Sequence, residues 1–153
     1  MTAQTNGATP ATTEKSDDYW KALQKQAAEQ VQETGTTVGL HAVGPAVLVT
    51  IIGAKTGVPR QVPVLRIEHD GKYVIAASKG GSSREPVWAA NVRANPNVTL
   101  QDGEVIRRFT AREVAGQERE IWWERAVEAQ PAMKGYAATA DRTIPLFVLD
   151  PAW

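Results

Sequence analysis

The sequence predicts a mainly β, α+β domain, an antiparallel barrel of six strands with three helices packed around it. Three observations point there. Apolar, β-branched runs recur along the chain, two of the gaps between them are tight-turn sequences, and three intervening segments switch to helical periodicity.

Met1 to Ser16 is rich in Thr, Ala, Gln and Asn with little to bury, and reads as a disordered tail ahead of a single domain, 17–153. Asp17 and Asp18 suit the cap of a helix running to about Thr34, with Gly35 as its stop. Trp20, Leu23, Ala27 and Val31 fall on one stripe of that helix, which makes it amphipathic. Docking on the domain is the simplest use of the stripe; covering a substrate or resting on a membrane surface are the alternatives.

Ala46 to Ile52 is β-branched enough for a well-buried strand. After a turn-rich connector, Gln61 to Glu68 alternates apolar with polar, and Pro63 belongs at an edge or bulge because it donates nothing to a ladder. His69-Asp-Gly-Lys72 turns the chain into a third strand, Tyr73 to Ser78. A Gly-rich basic loop follows, and Pro86 fits the first turn of a helix ending before Asn95. Val98 to Gln101 and Val105 to Val114 flank Asp102-Gly103 as a hairpin. Gly116 or Gln117 starts a helix through about Ala129, with Ile121, Trp122, Arg125 and Ala126 near one face. Ala132 to Asp141 has no decisive pattern, and Ile144 to Leu149 is the last strand.

Composition narrows the function. Lys plus Arg equals Asp plus Glu at 17 each, so no global field favours nucleic acid and a basic site has to be local. The absence of cysteine excludes disulfides, thiolate metal sites and cysteine nucleophiles, and suits a reducing cytoplasm. The N-terminus lacks the pattern of a secretory signal. The longest apolar run, Ala46 to Ala54, is far short of the roughly 20 residues that span a bilayer.

Several catalytic readings fail on spacing. His41 and His69 are far apart and share no helix face, so a metal centre is not expected. Gly80-Gly-Ser-Ser83 is not the Gly-x-Ser-x-Gly turn of a hydrolase nucleophile. Gly53-Ala-Lys-Thr56 lacks the upstream glycine of a nucleotide phosphate loop. What remains is convergence: Lys55, Arg60 and Lys79 sit in two Gly-containing connectors that follow apolar strands, where they can gather around a phosphate or carboxylate.

Five ordered motifs extend that reading: Thr50 to Arg60 (Thr-Ile-Ile-Gly-Ala-Lys-Thr-Gly-Val-Pro-Arg), Val62-Pro-Val64, Ala76-Ala-Ser-Lys-Gly-Gly81, Pro86 to Val98, and Asp141-Arg-Thr-Ile-Pro-Leu146. From about Val47 onward the chain resembles the deazaflavin-dependent nitroreductase family of actinobacteria, the F420H2-dependent quinone and enone reductases. The resemblance implies a split β-barrel of the flavin-reductase type and coenzyme F420, an 8-hydroxy-5-deazaflavin with a phosphate and an oligoglutamate tail. By the same resemblance, Lys55, Thr56 and Arg60 hold the phosphate and tail, and Gln61, Val62 and Pro63 line the passage inward. Ala76, Ala77, Ser78 and Lys79 border the deazaflavin ring, Gly80 and Gly81 admit the backbone, and Val87, Trp88 and Asn91 close the site.

The implied reaction is hydride transfer to a small electron-poor acceptor, with Tyr136 and Ser78 as candidates to supply the proton or a hydrogen bond. Leu65, Gln130 and Met133 stand where nitroimidazole-activating members carry tyrosines, so a more apolar pocket for enones, lactones or quinones is expected, with Leu65, Met133 and Tyr136 at the substrate. Peripheral membrane contact through the 17–34 helix is compatible with a lipid quinone. An FMN-dependent oxidoreductase on the same barrel, a non-catalytic F420 carrier and a lipid-binding barrel are the competing readings.

Overall fold

The β-branched runs become strands as expected, but their connectivity makes the sheet close on itself. The computed structural model describes residues 15–40 and 44–152. Its strands are β1 (Ala46–Ile52), β2 (Pro59–Leu65), β3 (Glu68–His69), β4 (Lys72–Ala76), β5 (Asn97–Asp102), β6 (Val105–Glu113) and β7 (Leu146–Pro151). They form one antiparallel sheet in the order β2-β1-β5-β6-β7-β4-β3, so seven strands replace the six expected.

The miscount has a physical cause. The alternating run read as one strand, Gln61 to Glu68, belongs to both edges of the sheet: β2 is one edge, β3 is the other, and only Arg66 and Ile67 lie between them. Three residue steps span at most about 11 Å, so the sheet curls until its edges meet as a half-barrel. The Asp102 carboxylate fastens this seam, accepting from Arg66 Nε at 2.9 Å and from the Tyr73 hydroxyl. Burial, followed by the Asp102 hydrogen bond, raises the Tyr73 phenol to about 12, so it stays a donor.

Strand alternation then divides the core. Val47, Val49 and Ile51 of β1 point inward with Val62, Ile75, Leu100, Phe109, Phe147 and Leu149, while Ala46 and Leu48 face outward beneath Ala27 and Val31. On β7, Phe147 and Leu149 enter the barrel; Leu146 and Val148 turn out to meet Trp122 and Ala126. Both faces of these strands are covered, which is why their sequences read as continuous apolar runs.

The helices are α1 (Asp17–Thr34), α2 (Val87–Ala94), α3 (Gly116–Ala129) and α4 (Met133–Ala140). Ser16, rather than Asp17 or Asp18, caps α1, its Oγ accepting from Tyr19 N at 3.2 Å, and Gly35 ends the helix at φ +76°. The aspartates occupy the first turn, where they complement the helix dipole. Pro86 caps α2 instead of entering its first turn. Ile121 is exposed, not grouped with buried Trp122 as expected, because consecutive residues project about 100° apart around a helix. Helix α4 occupies the stretch that had no decisive pattern. Among the described residues, no helix is long and apolar enough to cross a membrane, and the apolar residues Ala27 and Val31 of α1 are buried in the molecule's own core. The expected tail falls almost wholly outside the described residues, as does His41.

Candidate active site

A cavity of about 1260 Å³ opens between the β1–β2 connector, β2, the loop after β4, α2, α4 and the first turns of α1. Its first wall is the connector. Gly53 N donates to Val58 O at 3.0 Å, Gly57 N to Gly53 O at 2.9 Å, and Val58 N to Thr56 Oγ1 at 3.1 Å, which folds Gly53 to Val58 into a closed turn. A Cβ on Gly53 would lie 2.7 Å from Thr56 Oγ1, so glycine is required by space there. The Asn91 side chain on α2 accepts from Ala54 N at 2.9 Å and fixes the turn to the rest of the site. Lys55, Thr56 and Arg60 line the cavity, and no carboxylate among the described residues forms an ion pair with Lys55 or Arg60.

The second wall is the Gly-rich loop, where Lys79, Gly80 and Gly81 follow one another at φ +47°, +63° and +84°. Left-handed backbone is unfavourable for a lysine, and neighbours on three sides hold it. Lys79 Nζ, its side chain 7% exposed, meets Asp17 Oδ1 of α1 at 2.9 Å. A Cβ on Gly80 would come 3.2 Å from Trp20 of α1, and one on Gly81 would come 3.2 Å from the Tyr136 Cα of α4. The Lys79 ammonium holds the Asp17 carboxyl below its ordinary range, first by hydrogen bonding and then by charge.

At the other end, Val64, Leu65, Met133 and Tyr136 supply a mostly apolar lining. Burial pushes the Tyr136 phenol up, so its hydroxyl is neutral and able to donate at ordinary pH. Ser78 lines the cavity, and no other described residue hydrogen-bonds its hydroxyl. Trp88 serves two roles: its ring packs edge-on at 5.9 Å to Phe147 in the core and also reaches the cavity wall.

Of the expected residues, Lys55, Thr56, Arg60, Val62, Pro63, Leu65, Ala76, Ser78, Lys79, Gly80, Gly81, Val87, Trp88, Asn91, Met133 and Tyr136 meet at this one cavity. Gln61 and Ala77 lie off its wall. Gln61 is exposed on β2 opposite Thr50, and Ala77 is wholly buried, with its amide donating to Pro145 O. Sequence reasoning missed two contributors. One is the start of α1, whose stripe pointed first to docking, with substrate covering only as an alternative; Trp20 and Leu23 line the cavity, and the buried Trp20 indole N–H has no partner among the described residues. The other is Arg142, whose guanidinium donates to backbone carbonyls of the Gly-rich loop. Its only sequence signal was its place in the Asp141-Arg-Thr motif. His69 is elsewhere, edge-on to Trp122 at 6.5 Å, and no metal-binding cluster of His, Asp or Glu occurs among the described residues.

Among the described residues, this cleft of the half-barrel carries Lys55 and Arg60 without carboxylate partners on one wall and an apolar, hydroxyl-bearing lining on another, a combination able to hold an elongated anionic molecule with apolar parts. Residues 22–151 match the F420H(2)-dependent quinone reductase family, and the chain belongs to that family of oxidoreductases, whose hydride source is reduced coenzyme F420. It is 33% identical to the F420H(2)-dependent quinone reductase Rv1261c of Mycobacterium tuberculosis strain H37Rv over 110 residues, covering 69% of this chain and 72% of that protein. Among solved structures, an F420-H2 dependent reductase (FDR-A) is 48% identical, with a TM-score of 0.67 over 73% of this chain and all of the other. A second, described as a domain-swapped dimer, is 45% identical with a TM-score of 0.69 over 88% of this chain and all of the other.

Proposed function

We propose that this protein reduces quinones and other electron-poor carbonyl acceptors with F420H2, using the cavity's two chemically distinct ends for the two reactants. The observation that carries the reading is their separation within one cleft. Lys55 and Arg60, which no carboxylate among the described residues pairs, offer charge for the phosphate and glutamate tail, while Leu65, Met133 and Tyr136 offer an apolar seat with one donor.

Bound there, the reduced deazaflavin supplies a hydride as a two-electron donor. The protein's part is positioning and charge control. Thr56 would complete the cationic anchor, Ala76 and Trp88 would border the ring, and Val62 and Pro63 would form the passage between the two ends. Ser78 and Tyr136 hydrogen-bond the acceptor oxygen, stabilising the negative charge that develops on it, and Tyr136 delivers the proton that neutralises it. Its raised pKa keeps that proton in place until the oxygen becomes basic.

The apolar residues at Leu65 and Met133 favour a quinone, enone or unsaturated lactone over a nitroimidazole. The test is anaerobic oxidation of F420H2, followed by absorbance, with a short-chain quinone, an enone and a nitroimidazole as separate acceptors. Turnover fastest with the first two is expected. Tight F420 binding with no oxidation by any of the three would make the protein a carrier, and turnover with reduced FMN alone would replace the coenzyme.

A further inference from the structure

We infer that Arg142 is a positioning residue that sets the shape of the Gly-rich wall, so that Ser78, Lys79 and Gly80 present themselves to the cavity. The inference rests on the reading that this wall borders the coenzyme.

Arg142 follows Asp141, itself left-handed at φ +53°, at the end of α4. From there its planar fork reaches across the loop. Nη2 donates to Ala77 O at 3.1 Å, Ser78 O at 3.3 Å and Arg84 O at 3.1 Å, and Nε donates to Ser82 O at 3.1 Å. One side chain therefore gathers carbonyls from both the entry and the exit of the loop. The segment between them contains the three consecutive left-handed residues Lys79, Gly80 and Gly81.

Such a conformation persists only where its surroundings over-determine it. Three further neighbours bear on the same segment, Asp17 on the Lys79 ammonium, Trp20 against Gly80 and Tyr136 behind Gly81. Each of these meets one side chain or one glycine. Arg142 alone among these contacts acts on the backbone at both ends, which fixes the path of the chain between them. Arginine suits this task better than lysine, since several coplanar N–H groups are needed in fixed directions and an ammonium on a flexible stem cannot supply them. Arg142 also lies just past the end of α4, the helix that carries Tyr136.

The test compares Arg142→Lys with Arg112→Lys. Arg112 also makes several charged hydrogen bonds, to Glu118 and Asp150, but does not line the cavity. Amide exchange is measured without coenzyme, and F420 affinity by fluorescence titration. Arg142→Lys should speed exchange at Gly81 and Ser82, whose amides donate to Ser78 O and Lys79 O, by at least about tenfold, and raise the Kd for F420 by at least about tenfold. Arg112→Lys should change neither. Unchanged loop exchange in Arg142→Lys, or equal effects from both variants, overturns the inference. If Arg142→Lys does not fold, Arg142→Gln is measured in its place; failure of both to fold overturns the inference too, because Arg142 would then serve the whole fold. Loop exchange is read without F420, so the clamp can fail while coenzyme binding stands, and coenzyme binding can fail while the clamp stands.

Discussion

Lys79 Nζ lies 2.9 Å from Asp17 Oδ1, tying the first turn of α1 to a left-handed lysine in the cavity wall. The pair joins segments 62 residues apart in sequence and holds the start of α1 over the cleft. Because the Asp17 pKa is depressed in the folded protein, its contribution is present above the unfolded value and lost as pH falls through the folded one. The Asp17 carboxyl, followed by NMR, should titrate below 3.8 in the wild type. In Lys79→Met it should rise toward the ordinary range, with Arg84, 3.7 Å from the same oxygen, still holding it down in part. An unshifted Asp17 in the wild type would mean that the pair does not form in solution.

Arg60 should matter for the charged part of the coenzyme and not for its ring. Losing a charge-assisted hydrogen bond costs about 1.5–3 kcal/mol, so Arg60→Ala should weaken F420 binding roughly tenfold to a hundredfold. A deazaflavin lacking the phosphate and glutamates should bind wild type and variant alike, as read by parallel fluorescence titrations. Equal losses for both ligands would place Arg60 at the ring or in the fold.

Tyr136→Phe should leave F420 affinity intact and lower kcat by about a hundredfold, the usual scale for a lost general acid. Since burial raises the phenol above its ordinary value, the Tyr136-dependent part of the wild-type rate should stay level through neutral and mildly alkaline pH and fall only as the raised phenol ionises. A steady-state pH profile of both proteins checks this. An unchanged kcat removes Tyr136 from proton transfer.

Gly81 and Gly57 separate the cost of crowding from the cost of backbone conformation. Both have positive φ, +84° and +70°, but a Cβ on Gly81 would meet the Tyr136 Cα at 3.2 Å while one on Gly57 meets nothing within 4 Å. Gly57→Ala should cost about 1–2 kcal/mol, the left-handed penalty alone. Gly81→Ala should cost measurably more in thermal denaturation and raise the KM for the acceptor, because α4 has to move. Equal costs would show that α4 yields freely.

The legible part of this protein was whatever depends on local pattern. The β-branched runs, the Asp102-Gly103 hairpin and the Gly35 stop each carry their own signal and appear where expected. The fate of Gln61 to Glu68 was not local. Its alternation suits one strand, and only the pairing of β2 with β1 and of β3 with β4 reveals that it crosses the seam of the barrel. Helix α4 was hidden because its small residues, including Gly135, Ala137 and Ala138, give little amphipathic contrast. The site followed the same division. Lys55 to Arg60 and Ser78 to Gly81 were legible because glycines and cations cluster in sequence, whereas Gln61 and Ala77 were carried along by adjacency and face away from the cavity or into the core. Trp20 and Arg142 reach the site from opposite ends of the chain, and no local signal announces contacts of 58 to 65 residues in separation such as those Arg142 makes to the loop.

The most direct test of the account is equilibrium titration of the purified protein with F420 and, separately, with FMN, read by ligand fluorescence. The cations on the connector and the family to which the chain belongs predict saturable F420 binding at least about tenfold tighter than FMN, weakened by added salt as screened ion pairs are. Tighter binding of FMN, or no saturable binding of F420, would contradict it.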